Sequence, residues 1–409
     1  MKHKLDQNLL LEFTKIVRIF STSFPHSIQR ALEAKGNRKP DYQRLKSALK
    51  HQEPDLVPLF EMGIEPEIKQ LFMGHPVQGH AQEIEFFETA GFDAYPVSLS
   101  VINANTKSNA NLKPVETNDE QIEKSADGVQ VTSHSVSTYK AELEAYTERH
   151  WAEMHKGVIT NKDEFAAYPW PNPDDLDFSV LDQVGVMLPP GMKIGVVIGK
   201  VFTGVWFMMG METFMLSYID DPELIEMMYD KIIPLQQRVM EVAMEHPAVG
   251  LSFHADDLSG KNGPLVHPDH YRKYAFPCYK KMCDMAKAAD KPFVFHTDGD
   301  ISMVIDELID LGISGWHPVE KQAHDINEIK AKYGDRLALL GNIDLQYTLT
   351  QGTPQEVEDE VRTRIRDLAP GGGYCVSSGN SIPEYVPIDN YAAMLEATFK
   401  YGKYPISLG

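Results

Sequence analysis

The residues best suited to chemistry in this 409-residue chain sit at the ends of short apolar runs. PFVFHTDGD (292–300) closes on His296 and Asp298, and ISGWHPVE (313–320) on His317 and Glu320. VGLSFHADD (249–257) closes on His254, Asp256 and Asp257, and LVPLFEM (56–62) carries Glu61. LALLGNID (337–344) supplies Asn342 and Asp344, and GYCVSSGN (373–380) ends in Asn380. Imidazoles and carboxylates placed this way can move protons, hold a divalent cation or stabilise charge on a leaving group. The amides can orient a substrate. Each residue also has a plainer reading: His296 as a satisfied core histidine, and Asn342 and Asn380 as turn stabilisers beside Gly341 and Gly379. Glu61 is equally readable as a metal ligand, a general base or a solvated acid at a rim. Asp256 and Asp257 are adjacent, so in extended chain their side chains leave on opposite sides. One of them faces a site and the other caps a loop; Asp257 is the better candidate for the site.

These groups need a scaffold that brings strand ends together. Two more apolar runs, FDAYPVSLS (92–100) and KIGVVIGKV (193–201), bring the total to eight. Near-continuous apolar runs are typical of buried parallel strands. Amphipathic stretches separate them, at 221–246, 268–290, 305–312 and 353–372, two of them opening on Asp-Pro or Thr-Pro, a helix-start signal. Eight alternations predict an α/β protein built as a TIM (β/α)8 barrel, whose strand C-termini form the active face. Residues 1–52 are expected as a helical extension outside the main domain of 53–409. The interval of about 101–190, between the second and third strands, is expected to be an insertion or lid, with a hairpin at 128–143.

Bulk properties narrow the partners. Acidic residues outnumber basic ones 59 to 39, a net charge of −20 that disfavours nucleic acid and anionic membrane surfaces. Three cysteines, Cys278, Cys283 and Cys375, fit a reducing compartment rather than a disulfide framework. No leader-like N-terminal segment or membrane span is legible, so a cytoplasmic location is expected. The methionines of VWFMMGMETFM (205–215) read as core packing.

Four stretches, 256–282, 295–320, 333–344 and 371–391, resemble the uroporphyrinogen decarboxylase superfamily, with a weaker likeness at 49–74. The resemblance covers roughly 190–405 and implies the TIM barrel independently. It also implies two chemistries. The decarboxylases carry an Arg-containing MRQAGRY-type segment after the first strand. Here that place reads FEMGIEPEIK (60–69), which would leave substrate carboxylates unpaired at several kcal/mol per ion. The other branch comprises cobamide-dependent methyltransferases, many of which hold zinc through a His-x-Cys pair and a later Cys. This chain keeps His296 but has Asp298 at the first thiolate position and Asn380 near the second, with Cys375 five residues upstream. That puts thiol activation in doubt.

The resemblance therefore implies a methyltransferase that demethylates a small O- or N-methyl compound, with a corrinoid protein as partner and methyl acceptor. His296, Asp298, His317 and Glu320 are the expected catalytic residues. Glu61, His254, Asp257, Asn342 and Asn380 are expected to bind substrate. His296 and Asp298 are the expected ligands of Zn2+ or another divalent metal. Two alternatives stand beside it. One is a decarboxylase or related lyase acting on a smaller acid, with a basic wall drawn from Lys200, Lys261 or Arg272. The other is a non-catalytic barrel whose ionisable groups are all paired. Oligomeric association is left open.

Overall fold

The computed structural model describes residues 25–99 and 157–407. Its centre is one parallel sheet of seven strands: β1 (Ala94–Ser98), β2 (Lys193–Gly199), β3 (Val249–Ala255), β4 (Phe293–His296), β5 (Gly315–His317), β6 (Ala338–Leu340) and β7 (Tyr374–Cys375). Each pairs with its neighbour in chain order, and helices fill the connections. Seven of the eight expected runs are thus regular strands. The remaining one, 56–62, runs parallel to β7 through a single bridge, Leu59 to Val376. Phe60 N–H donates to Val376 O at 3.1 Å, and Val376 N–H to Pro58 O at 2.9 Å. Pro58 has no N–H to extend the ladder, so this edge stays short. A small antiparallel ribbon, Ser259–Gly260 with Gly263–Pro264, follows β3.

Side-chain alternation along the strands divides the core in two. The inner set includes Phe60, Ala94, Leu251, Phe253, Val294, Ala338, Leu340 and Cys375. The larger outer set lies between sheet and helices, with Ile194, Val196, Phe293 and Phe295 among its members.

The helix Tyr42–Leu49 belongs to the inner set through Tyr42, Leu45, Ala48 and Leu49. Residues expected to pack outside the main domain therefore plug the foot of the sheet instead. Their apolar face, at helical spacing, supplies the wedge. Tyr42 Oη donates to Gly250 O, and a Cβ at Gly250 would lie 2.5 Å from the Tyr42 ring, so only glycine fits there. Beside it, buried Asp93 takes the guanidiniums of Arg38 and Arg44.

Of the expected insertion, residues 157–190 form the helices Lys162–Ala167 and Ser179–Met187, with Trp170 packed on Phe165 and Tyr168. The hairpin expected at 128–143 lies outside the described residues. Met208 and Met209 of the methionine-rich run are buried, whereas Met215 is partly exposed. All three cysteines are free and buried. Among the described residues no helix is long and apolar enough to cross a membrane.

Candidate active site

Register assembles the site. The ladder sets Ala255 beside His296 and His296 beside His317, so the last residues of β3, β4 and β5 share one layer. The two histidines point inward above Phe253, whose ring lies 5.8 and 5.2 Å from theirs. His296 Nδ1 is 2.7 Å from His317 Nδ1, and His317 Nε2 is 3.0 Å from Ser377 Oγ.

Beyond β3 the two aspartates diverge. Asp256 is buried and accepts the backbone N–H groups of Val201, Phe202 and Thr203 at 2.7–2.9 Å, capping the helix Phe202–Met209. Tyr279 Oη also donates to it at 2.7 Å. Asp257 turns the other way, into the mouth, with 40% of its side chain exposed. Its Oδ1 accepts Asp298 N–H at 3.2 Å and lies 3.8 Å from His296 Nε2. Asp298, 30% exposed, places Oδ1 3.9 Å from the same nitrogen. One ligand atom from each of Asp257, His296 and Asp298 lies within 4.8 Å of the others.

The neighbours shape this triad. Asn380 Nδ2 donates to Asp298 Oδ2 at 3.1 Å. Glu320 accepts Gly299 N–H at 2.9 Å and so holds the turn after β4. Gly299 has φ +76°, and a Cβ there would lie 2.5 Å from Gly260 O, so the turn needs glycine.

Electrostatics single out the same three residues. Burial drives the His296 imidazole down to about 3, so it is neutral with a lone pair to offer. Burial, then the Asp257 and Glu320 charges, push the Asp298 carboxyl well above the usual carboxylate range. Burial raises Asp257 to about 6, against the pull of the Asp298 N–H and Lys200. Two acids that resist sharing charge, set around a neutral imidazole, fit a divalent cation. Oxygen donors replace sulfur here. Cys375 is no substitute, because it lies in the inner core and burial pushes its thiol up.

Other expected residues fall elsewhere. His254 does not join the site. Phe253 takes the inward direction, so His254 faces the helix layer, wholly buried among Tyr279, Phe293 and Phe295. Glu61 is not a solvated rim acid: it is 1% exposed and accepts both the N–H and the hydroxyl of Ser378 at 2.7 Å. Asn342 is buried and donates to Val319 O at 2.7 Å, fixing the loop after β5. Of the three cations weighed for a basic wall, Arg272 pairs on the surface with Asp269 and Glu307, and Lys261 is exposed beside the ribbon. Lys200 is the one whose charge reaches Asp257.

Sequence reasoning missed Ser377. Its signal was parity: it lies two residues past inward-facing Cys375, on the same face.

Comparisons with known proteins agree with this architecture. The family model for uroporphyrinogen decarboxylase (URO-D) matches residues 146–401. The methylcobamide:CoM methyltransferase MtaA of Methanosarcina barkeri is 26% identical over 137 residues, 34% of this chain and 38% of that protein. A uroporphyrinogen decarboxylase of Alkalilimnicola ehrlichii is 25% identical over 186 residues, 44% of this chain and 47% of that one. The chain thus spans less than half the length of these curated relatives. A solved methyltransferase from Methanosarcina mazei shares the fold, with TM-score 0.58 and 18% identity over 89% of this chain and 99% of that one. With a match across well over half its length, the chain belongs to the uroporphyrinogen decarboxylase (URO-D) family.

Proposed function

We propose that the protein removes a methyl group from a small O- or N-methylated compound and passes it to a corrinoid carried by a partner protein. One observation supports this reading best: a neutral imidazole and two acids converge at an open mouth, and among the described residues neither acid pairs with a Lys or Arg. Asp257, His296 and Asp298 would hold a divalent cation, zinc or another, which supplies positive charge to the oxygen or nitrogen that the methyl group leaves. An oxygen-rich donor set suits such a leaving atom better than it suits a thiol.

The chain's own residues do the positioning. Asn380 turns Asp298, Glu320 holds the Gly299 turn, and His317 fixes the His296 ring. Lys200 tempers the charge of Asp257. Relatives named as methylcobamide:CoM methyltransferases support the corrinoid side of the reading, since a methylated corrinoid is one of the two partners their names give. The small O- or N-methyl donor rests on the oxygen donors of the site.

The decarboxylase reading fares worse on a specific point. A smaller acid would still need a basic wall, and of the three cations weighed for one, Lys200 alone acts at the mouth, where its charge meets Asp257. Arg272 pairs with Asp269 and Glu307, and Lys261 is exposed beside the ribbon. A non-catalytic barrel with every group paired does not match the exposed Asp257 and Asp298.

The test is incubation with a reduced corrinoid protein and a panel of methylamines, methanol, betaines and methoxylated aromatics, followed by corrinoid absorbance. The expected result is methyl transfer from at least one donor, falling about 100-fold or more in His296→Ala and Asp298→Ala. Transfer from none of them, or full activity in both variants, overturns the proposal.

A further inference from the structure

A line of side chains leads from the mouth into the barrel wall. His296 Nδ1 meets His317 Nδ1, and His317 Nε2 meets Ser377 Oγ. The Ser377 hydroxyl in turn acts on the Glu61 carboxyl and favours its charge, and Ser378 holds that carboxyl through its N–H and hydroxyl at 2.7 Å. Glu61, His317 and Ser377 are at most 1% exposed and His296 4%. The chief partner outside the line is Ser378, whose N–H and hydroxyl hold Glu61 and whose backbone also meets His317.

A neutral imidazole has one N–H and one bare nitrogen, so each bond in the line dictates the next. With Glu61 ionised, Ser377 donates to it and must accept His317 Nε2–H. His317 Nδ1 is then bare and accepts His296 Nδ1–H. His296 Nε2 is left with a lone pair, facing the oxygens of Asp257 and Asp298. With a proton on Glu61 donated to Ser377, every bond reverses and His296 Nε2 carries hydrogen.

We propose that Glu61 is a positioning residue which, through Ser377 and His317, decides whether His296 offers the mouth a lone pair or a proton. The first state serves cation binding and the second serves protonation of a leaving atom. The proton balance closes: for each proton released at His296 Nε2, one enters the line from Glu61, which ends as carboxylate, and neither ring becomes charged. Burial lifts Glu61 to about 8 against its serine donors, which keeps both states within reach near neutral pH. Tyr391, packed from the last helix, is the ionisable group on which the Glu61 charge acts. Asp257 and Asp298 face the far end, with Lys200 acting on Asp257.

The inference rests on the mouth being the working site but not on methyl transfer, and its test uses neither donor nor corrinoid. Full-length protein labelled with 15N-histidine and stripped of metal is read by long-range 1H–15N correlation at about pH 9, above the Glu61 value. Wild type is expected to carry the His296 proton on Nδ1. Glu61→Gln, whose amide nitrogen can only donate, is expected to move it to Nε2. Ser377→Ala cuts the line and is expected to give mixed tautomers and Zn2+ binding weakened about 10–100-fold by calorimetry. This variant removes one buried oxygen and carries the test alone if Glu61→Gln does not fold. An unchanged His296 tautomer and unchanged Zn2+ affinity in Ser377→Ala overturn the proposal. Failure of methyl transfer with these readouts intact would count against the proposed function alone.

Discussion

The two ends of the sheet treat their acids in opposite ways. At the foot, Asp93 is buried and takes Arg38 Nη2 at 2.7 Å, Arg44 Nη1 at 2.6 Å and the backbone N–H of Asp41 at 2.9 Å. At the mouth, Asp257 and Asp298 are partly open to solvent, and the nearest basic side chain is a neutral imidazole. A buried acid clamped between guanidiniums anchors structure. Two acids crowded together, with no Lys or Arg in contact among the described residues and only the more distant Lys200 acting on Asp257, are arranged for something that arrives later.

The largest effect that would sharpen this contrast is a pair of substitutions. Asp93→Ala takes from Arg38 its carboxylate and leaves Arg44 with Asp55 alone, and is expected to cost about 3 kcal/mol in urea unfolding. Asp298→Asn at the mouth is expected to leave stability unchanged or raise it, because it removes a charge that its surroundings disfavour. Equal losses in the two would break the comparison.

The same contrast recurs between adjacent residues. Asp256→Ala removes the acceptor of three backbone N–H groups and of Tyr279, at an expected cost of about 3 kcal/mol. Asp257→Ala is expected to leave stability unchanged or raise it at neutral pH, since its surroundings resist the charge it removes. Thermal or urea unfolding of the two variants separates them.

A smaller effect lies in the pH dependence. Burial raises Asp257 from 3.8 to about 6, so between those values the folded chain holds a proton that the unfolded chain gives up. Stability from this group is therefore lost as pH rises through that window and is level above about 6. Asp55 at the foot, held below the usual range by Arg44, acts the other way, supporting the fold at neutral pH and losing that support in acid. With a chelator present, Asp257→Asn is expected to gain on wild type between about pH 4 and 6. A difference that does not vary with pH would remove the electrostatic part of the account.

Much of the scaffold was legible because parallel strands buried on both faces leave near-continuous apolar runs, and seven of eight became strands. The same property hid the facing of His254. In LSFHA, Leu251, Phe253 and Ala255 alternate with Ser252 and His254, but because both faces of the strand are buried the alternation alone does not say which set turns inward. Packing settles it by turning Phe253 inward against Phe60. Asp257, His296 and Asp298 were legible because charged groups directly after such runs have few places to go but the mouth. The role of 42–49 was hidden, since an amphipathic helix shows that it packs and not against what. Ser377 was hidden because a small hydroxyl reads as a turn residue until His317 is seen beside it.

The central claim is that Asp257, His296 and Asp298 form one cation-binding centre. Calorimetric titration of chelator-stripped protein with Zn2+ tests it most directly. The account predicts one equivalent bound by wild type, with binding lost or severely weakened in Asp257→Asn, His296→Ala and Asp298→Asn while each variant keeps its fold. No binding by wild type, or equal binding by the folded variants, would contradict it.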